Sequence, residues 1–463
     1  MMRNGSGLHR LVGLLAILLV IVSSGYAQEP DIEKRLEELE RRVELLQEEL
    51  AGRDSAAVAQ LRRQIEIITR ELEELKLGRE VVVEADTGLY GFGPAASKVY
   101  RVGQGVSVGG YGEMLYESFA SEREDGEPSG RKDQIDFLRA IVYVGYKFND
   151  RFLFNSELEF EHGSTDQAGS VSVEFAYLDY RAWDAVGIRA GLVLLPMGFI
   201  NELHEPPTFL GTERPETERR IIPTTWRENG IGIFGDAGGF AFRGYVVNGL
   251  DAVGGGASNA DGFSAAGLRG GRQKGSKAVA ESFAFAGRVD YVGLLGLTLG
   301  TSVYAGNSGQ GSVSPLDGSA ISALTVIWEG HAEYRRQGFD LRALLAVAHV
   351  DEVEHINAVK GLEGAESVGE RQVGWYLQAG YDVLHHSRSM HQLIPYVRFE
   401  QVNSQDRVPD GYTADPANDL QVISIGAAWK PITNIVVKAD YQLRSNGAST
   451  GVDQLNASIG YLF

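Results

Sequence analysis

The chain has 463 residues, no cysteine and 58 glycines, and its formal net charge at pH 7 is −19. The lack of cysteine excludes a disulfide scaffold, a cysteine-ligated metal site and a thiol nucleophile. The acidic balance argues against nucleic-acid binding, because a phosphate backbone attracts a basic surface. A mean hydropathy of −0.14 excludes a polytopic helical membrane protein. It is compatible with a transmembrane β-barrel, whose strands hide their apolar residues by alternation.

The first 27 residues have the pattern of a targeting segment. Arg3 and Arg10 precede an apolar run over 11–22, and Ala27 ends a stretch of small residues. A basic start, a short apolar core and a small-residue cleavage site are typical of a secretory signal peptide. A membrane anchor is the weaker alternative, since a spanning helix needs about 20 apolar residues. A signal peptide over 1–27 is therefore predicted.

Residues 28–77 are predicted to form a periplasmic coiled coil. Over 31–77 glycine and proline are almost absent, and apolar residues recur at alternating intervals of four and three, up to Leu50 and again, out of phase, from Val58. This spacing makes a narrow apolar stripe that needs partner helices. A single amphipathic helix lying on another surface is the alternative. The glycine-punctuated residues 78–105 are predicted as a linker that either tethers the coil or tucks partly under the next domain.

From residue 106 onward the apolar period changes to two. The connections alternate between tight turns, such as Asn149-Asp150, and long polar loops, such as 249–278. An even number of strands, with short turns on one side and long loops on the other, predicts an all-β transmembrane barrel of 16 antiparallel strands over 106–463. The predicted strands are 106–119, 134–148, 151–162, 171–183, 187–196, 228–236, 239–248, 279–291, 296–306, 322–336, 339–350, 371–384, 391–402, 419–430, 434–446 and 452–463.

Strand ends and inward positions add detail to this barrel. Aromatic residues near strand ends (Tyr146, Phe148, Phe152, Phe339 and Tyr461) are expected to form an interfacial girdle. Sixteen strands enclose a lumen wide enough for water, where charged side chains cost little and set selectivity. The charged residues predicted to face this lumen are Arg139, Lys147, Glu157, Glu159, Glu329, Glu333, Arg398, Glu400, Lys438, Asp440 and Arg444.

The loop 197–227 is the predicted constriction. Loops of this length are usually functional, and the pair Pro206-Pro207 favours a rigid conformation. Guanidinium groups bind phosphate or carboxylate bidentately, so an inward fold would let the loop's arginines select anions. Alternatively, these arginines and the loop's carboxylates neutralise one another. The residues predicted for the constriction or anion binding are Arg214, Arg219, Arg220 and Arg227 of the loop, with Arg139, Glu157 and Glu159 of the wall.

The loop 249–278 is a second basic stretch. It could gather anions at the outer mouth, bind lipopolysaccharide phosphates or be a solvated tip. A short turn holding His385, His386 and His391 could bind a metal ion, although a solvated turn is favoured. No metal site, cofactor or catalytic constellation is predicted. The basic residues proposed for the outer mouth are Arg269, Arg272, Lys274 and Lys277.

Three stretches, 109–113, 189–198 and 224–230, carry a resemblance to a known family. Roughly residues 100–463 resemble the phosphate-selective porin O and P family of outer-membrane porins. The resemblance implies a homotrimer in which arginine and lysine side chains guide anions. The N-terminal coiled coil is an addition to that family, and it suggests trimer locking or contact with the cell wall.

The sequence therefore predicts a passive outer-membrane diffusion channel for small hydrophilic solutes, with anions including phosphate favoured, and no enzymatic activity. The expected partners are outer-membrane lipids, the barrel assembly machinery through the terminal Phe463, and the cell wall through the coiled coil; nucleic acid is not expected. The alternative function is a structural tether between outer membrane and cell wall, with an incidental or non-selective pore.

Overall fold

A computed structural model describes most of the chain after residue 87. The chain divides into two compact units, Met1–Val82 and Val83–Phe463, and of the first unit only Arg41 is described. The predicted signal peptide (1–27) and, apart from Arg41, the predicted coiled coil (28–77) lie outside the described residues. The residues that the structure describes are Arg41, 88–163, 169–255, 260–387, 389 and 391–463.

The described part of the second unit forms a closed barrel in which each strand pairs antiparallel with its neighbours in sequence and β1 pairs with β16. The predicted sixteen-stranded barrel is thus confirmed. The strands are β1 (Gly105–Phe119), β2 (Gln134–Lys147), β3 (Phe152–Glu161), β4 (Ser170–Trp183), β5 (Val186–Leu194), β6 (Arg227–Ala237), β7 (Phe240–Asn248), β8 (Phe283–Leu294), β9 (Leu297–Asn307), β10 (Leu324–Arg336), β11 (Phe339–Val350), β12 (Arg371–Tyr381), β13 (Gln392–Arg407), β14 (Asp419–Ile432), β15 (Ile435–Asn446) and β16 (Gln454–Leu462).

Two strand ends differ from the sequence prediction by more than three residues. Strand β8 begins at Phe283 rather than 279, and β13 continues to Arg407 rather than ending at 402. The late start of β8 has a visible cause, because the Gln273 side chain bonds both the N–H and the carbonyl of Val279 at 2.6 and 2.8 Å. These backbone groups are then unavailable to the β-ladder.

The outer surface of the barrel is apolar, and many of its exposed aromatic residues lie at the end that carries the short turns, here called the short-turn end. The five residues predicted for the girdle are 38–46% exposed. Several form ring pairs with aromatic residues of neighbouring positions, with centroids 4.7–5.2 Å apart. Aromatic residues are favoured at a membrane–water boundary, where part of the ring meets lipid and part of it meets water. The pairs that include predicted girdle residues are Tyr146–Phe148, Phe152–Tyr180 and Phe339–Tyr381, and Phe240–Tyr291 is a further pair at the same end.

Helices are short in the described residues. The α-helices are α1 (Thr217–Arg220) and α2 (Val353–Lys360), and the 3-10 helices are Lys98–Tyr100, Pro206–Thr208, Arg269–Gly271, Gly364–Glu366 and Pro416–Asn418. Helix α2 lies in the stretch between the predicted strands 339–350 and 371–384, where the sequence predicts a loop. The helix stops at Gly361, whose backbone is in the left-handed region (φ 66°), as is usual at a helix C-terminus. None of the helices among the described residues is long and apolar enough to cross a membrane.

The core lies inside the barrel, where two segments pack against the wall. Residues 88–104 fill the short-turn end, burying Phe92 and Val99, and residues 195–226 fill the middle, burying Ile222 and Trp226. Of the two alternatives for 78–105, the described portion of that stretch is packed against the barrel rather than extended. Loops or helices fill part of the interior in some outer-membrane barrels.

The lumenal charges therefore lie in a different environment from the one the sequence predicted. Their inward orientation is as predicted, but most are buried against the inner segments instead of lining open water. The wall charges supply hydrogen bonds that the backbone of residues 195–226 needs once it leaves solvent. The lumenal charges that are 3% exposed or less are Glu157, Glu159, Glu329, Arg398, Glu400, Lys438 and Asp440.

Candidate functional site

Residues 195–226, the connection from β5 to β6, cross the lumen as a constriction loop. On the far wall, Lys438 of β15 donates to the Gly211 carbonyl at 2.9 Å. Arg342 of β11 donates to the Thr208 carbonyl at 2.7 Å. The loop is therefore held by strands distant from those that it connects, and it has the inward conformation that a constriction requires.

Asn201 joins the two ends of the constriction loop. Its side-chain N–H groups donate to the carbonyls of Leu195 and Trp226 at 2.7 and 2.9 Å, and its oxygen accepts from the Trp226 N–H at 2.6 Å. Trp226 is fully buried and packs against Tyr304, with ring centroids 4.7 Å apart. Because the Asn201 amide makes all of these hydrogen bonds, it fixes the two ends of the loop and leaves neither of its own polar atoms without a partner.

Two carboxylates of the constriction loop bond to backbone N–H groups. Glu218 accepts from Ile200 N–H at 2.7 Å and from the Tyr376 hydroxyl at 2.6 Å. Glu205 accepts from the N–H groups of Ala95 and Ala96 at 3.3 and 3.0 Å, which joins the loop to the inner segment 88–104. Burial raises the pKa of Glu205 to about 7 even though these two bonds favour the charged form.

Three of the four predicted loop arginines are in ion pairs. Arg219 and Arg220 both pair with Glu216 at 3.0 Å, and Arg227 pairs with Glu174 of β4 at 2.9 Å. Burial alone would raise the pKa of Glu216, but its arginine neighbours outweigh burial and lower that pKa to about 2. For these three arginines the contacts are those of the neutralisation alternative.

Arg214 differs from the other three arginines. No described residue forms an ion pair with it, and its Nη2 atom is buried without a hydrogen-bond partner. Burial, and then the nearby charge of Arg139, lower its pKa. Among the described residues, the ion-pair partners of Arg139 are Glu113 at 3.8 Å and Glu159 at 4.0 Å. Arg214 therefore lacks a close counter-charge among the described residues, although Glu174 and Glu159 lie near enough to favour its charged form.

The predicted outer-mouth arginines extend onto the constriction loop. Arg269 donates to the Thr224 carbonyl at 2.7 Å, and Arg272 donates to the carbonyls of Thr224 and Thr225 at 3.0 and 2.6 Å. No described carboxylate pairs with either one. Burial first, and neighbouring arginines second, lower the pKa of Arg269 to about 10 and that of Arg272 to about 9. Lys274 and Lys277 remain exposed.

We call Arg214, Arg269 and Arg272 the arginine cluster. Arg214 and Arg269 are close enough for the charge of one to lower the pKa of the other, and Arg272 is likewise affected by Arg269. Two groups that the sequence assigned to separate loops thus form one basic region. A guanidinium whose bonds go only to carbonyls keeps its full charge, which attracts an anion.

Cavities lie on either side of the constriction loop. On the long-loop side, a cavity of about 310 Å³ is lined by Glu213, Arg219, Arg220 and Arg444. On the short-turn side, one cavity of about 310 Å³ and another of about 240 Å³ both touch Thr208 of the loop. The constriction loop therefore lies between a cavity on the long-loop side and two cavities on the short-turn side.

Comparisons with known proteins add the following. No family model matches the chain. A protein of Aquifex aeolicus (strain VF5), described as an uncharacterized protein, is 37% identical over 397 residues, which cover 84% of this chain and 87% of that one. The chain belongs to the family of that Aquifex protein.

Solved structures share the barrel. OmpF of Salmonella typhi, in a complex with daunomycin, superposes with a TM-score of 0.51 and 16% identity, covering 78% of this chain and 98% of OmpF. An anion-selective porin from Comamonas acidovorans gives a TM-score of 0.50 and 12% identity, covering 77% and 99% of the respective chains. These likenesses establish a porin-type fold. Membership of the phosphate-selective porin O and P family is a finer statement and stays a prediction.

Sequence reasoning missed Glu174 and the role of His204. Strict alternation along β4 places Phe175, Tyr177 and Asp179 inward, which puts Glu174 outside. The pairing of β3 with β4 shifts register between Glu157 and Leu158, so both Glu174 and Phe175 are buried inside. A β-bulge adds one residue to a strand and resets its alternation. The sequence signal that could have revealed this bulge was an acidic residue, Glu174, at a position that strict alternation places outside the barrel.

Proposed function

We propose that this protein is an outer-membrane porin: a passive channel for small hydrophilic solutes that favours anions, with phosphate among them. The arginine cluster is the observation that carries the proposal. Its three guanidinium groups lie at the constriction with no described carboxylate partner. Arg272 is buried, Arg214 is half-buried and Arg269 is exposed. Charge of one sign beside low-dielectric walls raises the local concentration of anions. An anion passing the loop would meet it first.

The barrel surface supports the membrane location. Large apolar side chains face outward along the strands, and the aromatic pairs mark one boundary. Charges on that face would each cost about 2–4 kcal/mol at the bilayer midplane, whereas the charged residues named above face inward. We place the short turns in the periplasm and the long loops outside the cell, as in other outer-membrane barrels.

Assembly and the tether alternative are separate questions. A homotrimer is the predicted assembly, and mass measurement of the protein in detergent micelles tests it. The tether hypothesis depends on residues 28–77, which lie outside the described residues apart from Arg41. Deleting 31–77 distinguishes the two functions, because a channel keeps its conductance whereas a tether loses its effect on the cell envelope.

Single-channel recording in a planar bilayer tests the proposed function. Under a salt gradient the reversal potential should indicate anion preference, and added phosphate should reduce the chloride current. The triple variant Arg214→Gln, Arg269→Gln, Arg272→Gln should lose most of this preference. The matched control is Arg219→Gln with Arg220→Gln, which removes two arginines already paired with Glu216 and should retain it.

Two outcomes would overturn the proposal. Absence of any conductance in wild-type protein that is folded by circular dichroism would exclude an open channel. Cation preference, or an equal loss of anion preference in the triple variant and in its control, would show that the arginine cluster does not select the solute.

A further inference from the structure

Three ligand-type side chains converge where the constriction loop meets the wall. Glu157 comes from β3, Glu174 from β4 and His204 from the loop, and all three are at least 97% buried. The Nε2 atom of His204 lies 3.2 Å from Glu157 Oε1 and 3.5 Å from Glu174 Oε2. The three ligand atoms all lie within 4.8 Å of one another.

The hydrogen bond on the other ring nitrogen of His204 fixes what Nε2 can do. Nδ1 lies 3.0 Å from the backbone carbonyl of Asn201, and a carbonyl only accepts, so Nδ1 carries the hydrogen. In the neutral ring Nε2 then carries a lone pair and no hydrogen. That lone pair would face two carboxylate oxygens, and the resulting repulsion is relieved either by a second ring proton on Nε2 or by a metal ion bound between the three side chains.

The carboxylates also have unused oxygens. Glu157 Oε2 and Glu174 Oε2 are buried and have no hydrogen-bond donor. Unpartnered oxygens in fully buried carboxylates are costly. They are an observation independent of the clustering, and they point to a positively charged ligand at this place.

The spacing suits a small divalent ion. Two ligand atoms bound to Zn²⁺ at about 2.0–2.2 Å in tetrahedral geometry are about 3.3–3.6 Å apart. The measured separations from Nε2 are 3.2 and 3.5 Å. We propose that Glu157, Glu174 and His204 bind one Zn²⁺-class ion that clamps the constriction loop to the barrel wall.

Outer contacts hold the ligands as metal sites require. The Asn201 carbonyl orients His204, and Arg227 bonds Glu174 Oε1 at 2.9 Å, which leaves Oε2 for the ion. Such second contacts fix the ligand geometry in known metal sites. The carboxyl of Glu159 lies beside Glu174.

This inference departs from the sequence prediction of no metal site, and it does not depend on channel activity. A metal site can exist whether or not the pore conducts, and zinc content is measured without a bilayer. The ion would join β3 and β4 to the loop, and it would thereby limit the positions that the constriction can take. Its consequence is a more rigid loop.

The test is zinc stoichiometry of the full-length chain, without an affinity tag, purified in detergent micelles. Elemental analysis is done on protein as isolated and after unfolding with EDTA and refolding with or without Zn²⁺. The variants are His204→Gln and Glu157→Gln. The matched control is His331→Gln, since His331 is also buried against two carboxylates, Glu329 and Asp290, but has Arg288 within 2.9 Å of its Nε2.

A second control addresses exposed histidines. His385→Gln with His386→Gln removes the pair on the short turn after β12, which can bind zinc at the surface. We expect one zinc per wild-type chain, retained in both controls. We expect affinity to fall by at least about 100-fold in His204→Gln and in Glu157→Gln. Loss of secondary structure in one variant leaves the other as the test.

Three results would overturn the inference. Wild-type protein without zinc, both as isolated and after refolding with Zn²⁺, would mean that the cluster is a protonated His204 shared by two carboxylates. Zinc lost only in the His385/His386 control would mean surface binding. Zinc retained at full stoichiometry in folded His204→Gln would place the ion elsewhere.

Discussion

The wall arginines and the arginine cluster share one lumen but have different partners. Arg189 of β5 donates to both oxygens of Asp179 at 2.8 and 2.9 Å. Arg243 of β7 and Arg288 of β8 both pair with Asp290 at 2.8 Å. These side chains are buried, and each has a carboxylate counter-charge on its own or a neighbouring strand. Their charge is used to hold the wall and the inner segments together.

The arginine cluster has no such counter-charge among the described residues. Arg214 lacks any ion pair, and Arg269 and Arg272 donate to backbone carbonyls of Thr224 and Thr225. Under the proposed function, the contrast predicts that the number of arginines near the constriction says little about anion selection. What matters is whether each guanidinium already has a carboxylate, because only the uncompensated charge acts on a passing solute.

The largest expected effect is at the wall. Asp179→Ala leaves the Arg189 guanidinium buried without a carboxylate, which should lower the free energy of unfolding by about 3–5 kcal/mol. The urea dependence of tryptophan fluorescence in micelles measures it. Asp184→Ala is the control, since no ion pair of Asp184 is seen among the described residues. A loss under about 1 kcal/mol would mean that the aromatic rings around Arg189 compensate its charge.

The next effect is pH dependence at the joint between the loop and the inner segment. Burial raises the Glu205 pKa from 4.5 to about 7. Glu205 therefore contributes stability that is fully present below pH 4.5 and is lost as pH rises through about 7. The variant Glu205→Gln should unfold with a flatter pH dependence between pH 5 and 8, measured as urea midpoints. Identical profiles for both proteins would contradict the assignment.

A smaller effect of opposite sign is expected in the arginine cluster. Arg214→Gln removes a half-buried charge that has no ion pair among the described residues, so stability should be unchanged or rise by about 1 kcal/mol, while anion preference falls. The comparison with Asp179→Ala is direct, since one variant creates an arginine without a carboxylate partner and the other removes one. A loss of stability in Arg214→Gln would show that Arg214 holds the loop.

The smallest effect is expected at Arg219. Its side chain is 43% exposed and pairs with Glu216, the residue just before helix α1. Exposed pairs of this kind contribute about 0–1 kcal/mol, and Arg220 and Arg444 still contact Glu216. Arg219→Gln should therefore shift neither the urea midpoint nor the reversal potential measurably. A clear change in selectivity would extend the arginine cluster to this residue.

The barrel could be predicted from the sequence because its signal is local. Apolar residues on every second position fix which face of a strand meets lipid, and the turn or loop after each strand fixes the pairing of neighbours. The residues 435–444 show this well, since alternation places Val437, Tyr441 and Leu443 on the face opposite Lys438 and Asp440. The three apolar residues are exposed, and the two charged residues are buried.

The site was predicted in part. The loop 197–227 and its four arginines could be named from length and composition. Which arginine lacked a carboxylate could not, because Arg227 pairs with Glu174, 53 residues earlier in the chain. The placement of Arg269 and Arg272 on the loop likewise depends on long-range packing. No periodic pattern in 197–227 or in 249–278 indicates these long-range contacts.

By itself, the sequence determined the strand number, the pairing order, the outward apolar face and the candidate loop. These follow from alternation and turn length, which depend on neighbours in the chain. Only the tertiary structure decided how the lumen is filled, how the charges pair, and that Glu174 faces inward at a bulge beside His204. Those outcomes depend on contacts between distant segments, where burial removes water and every charge and backbone group must find a partner.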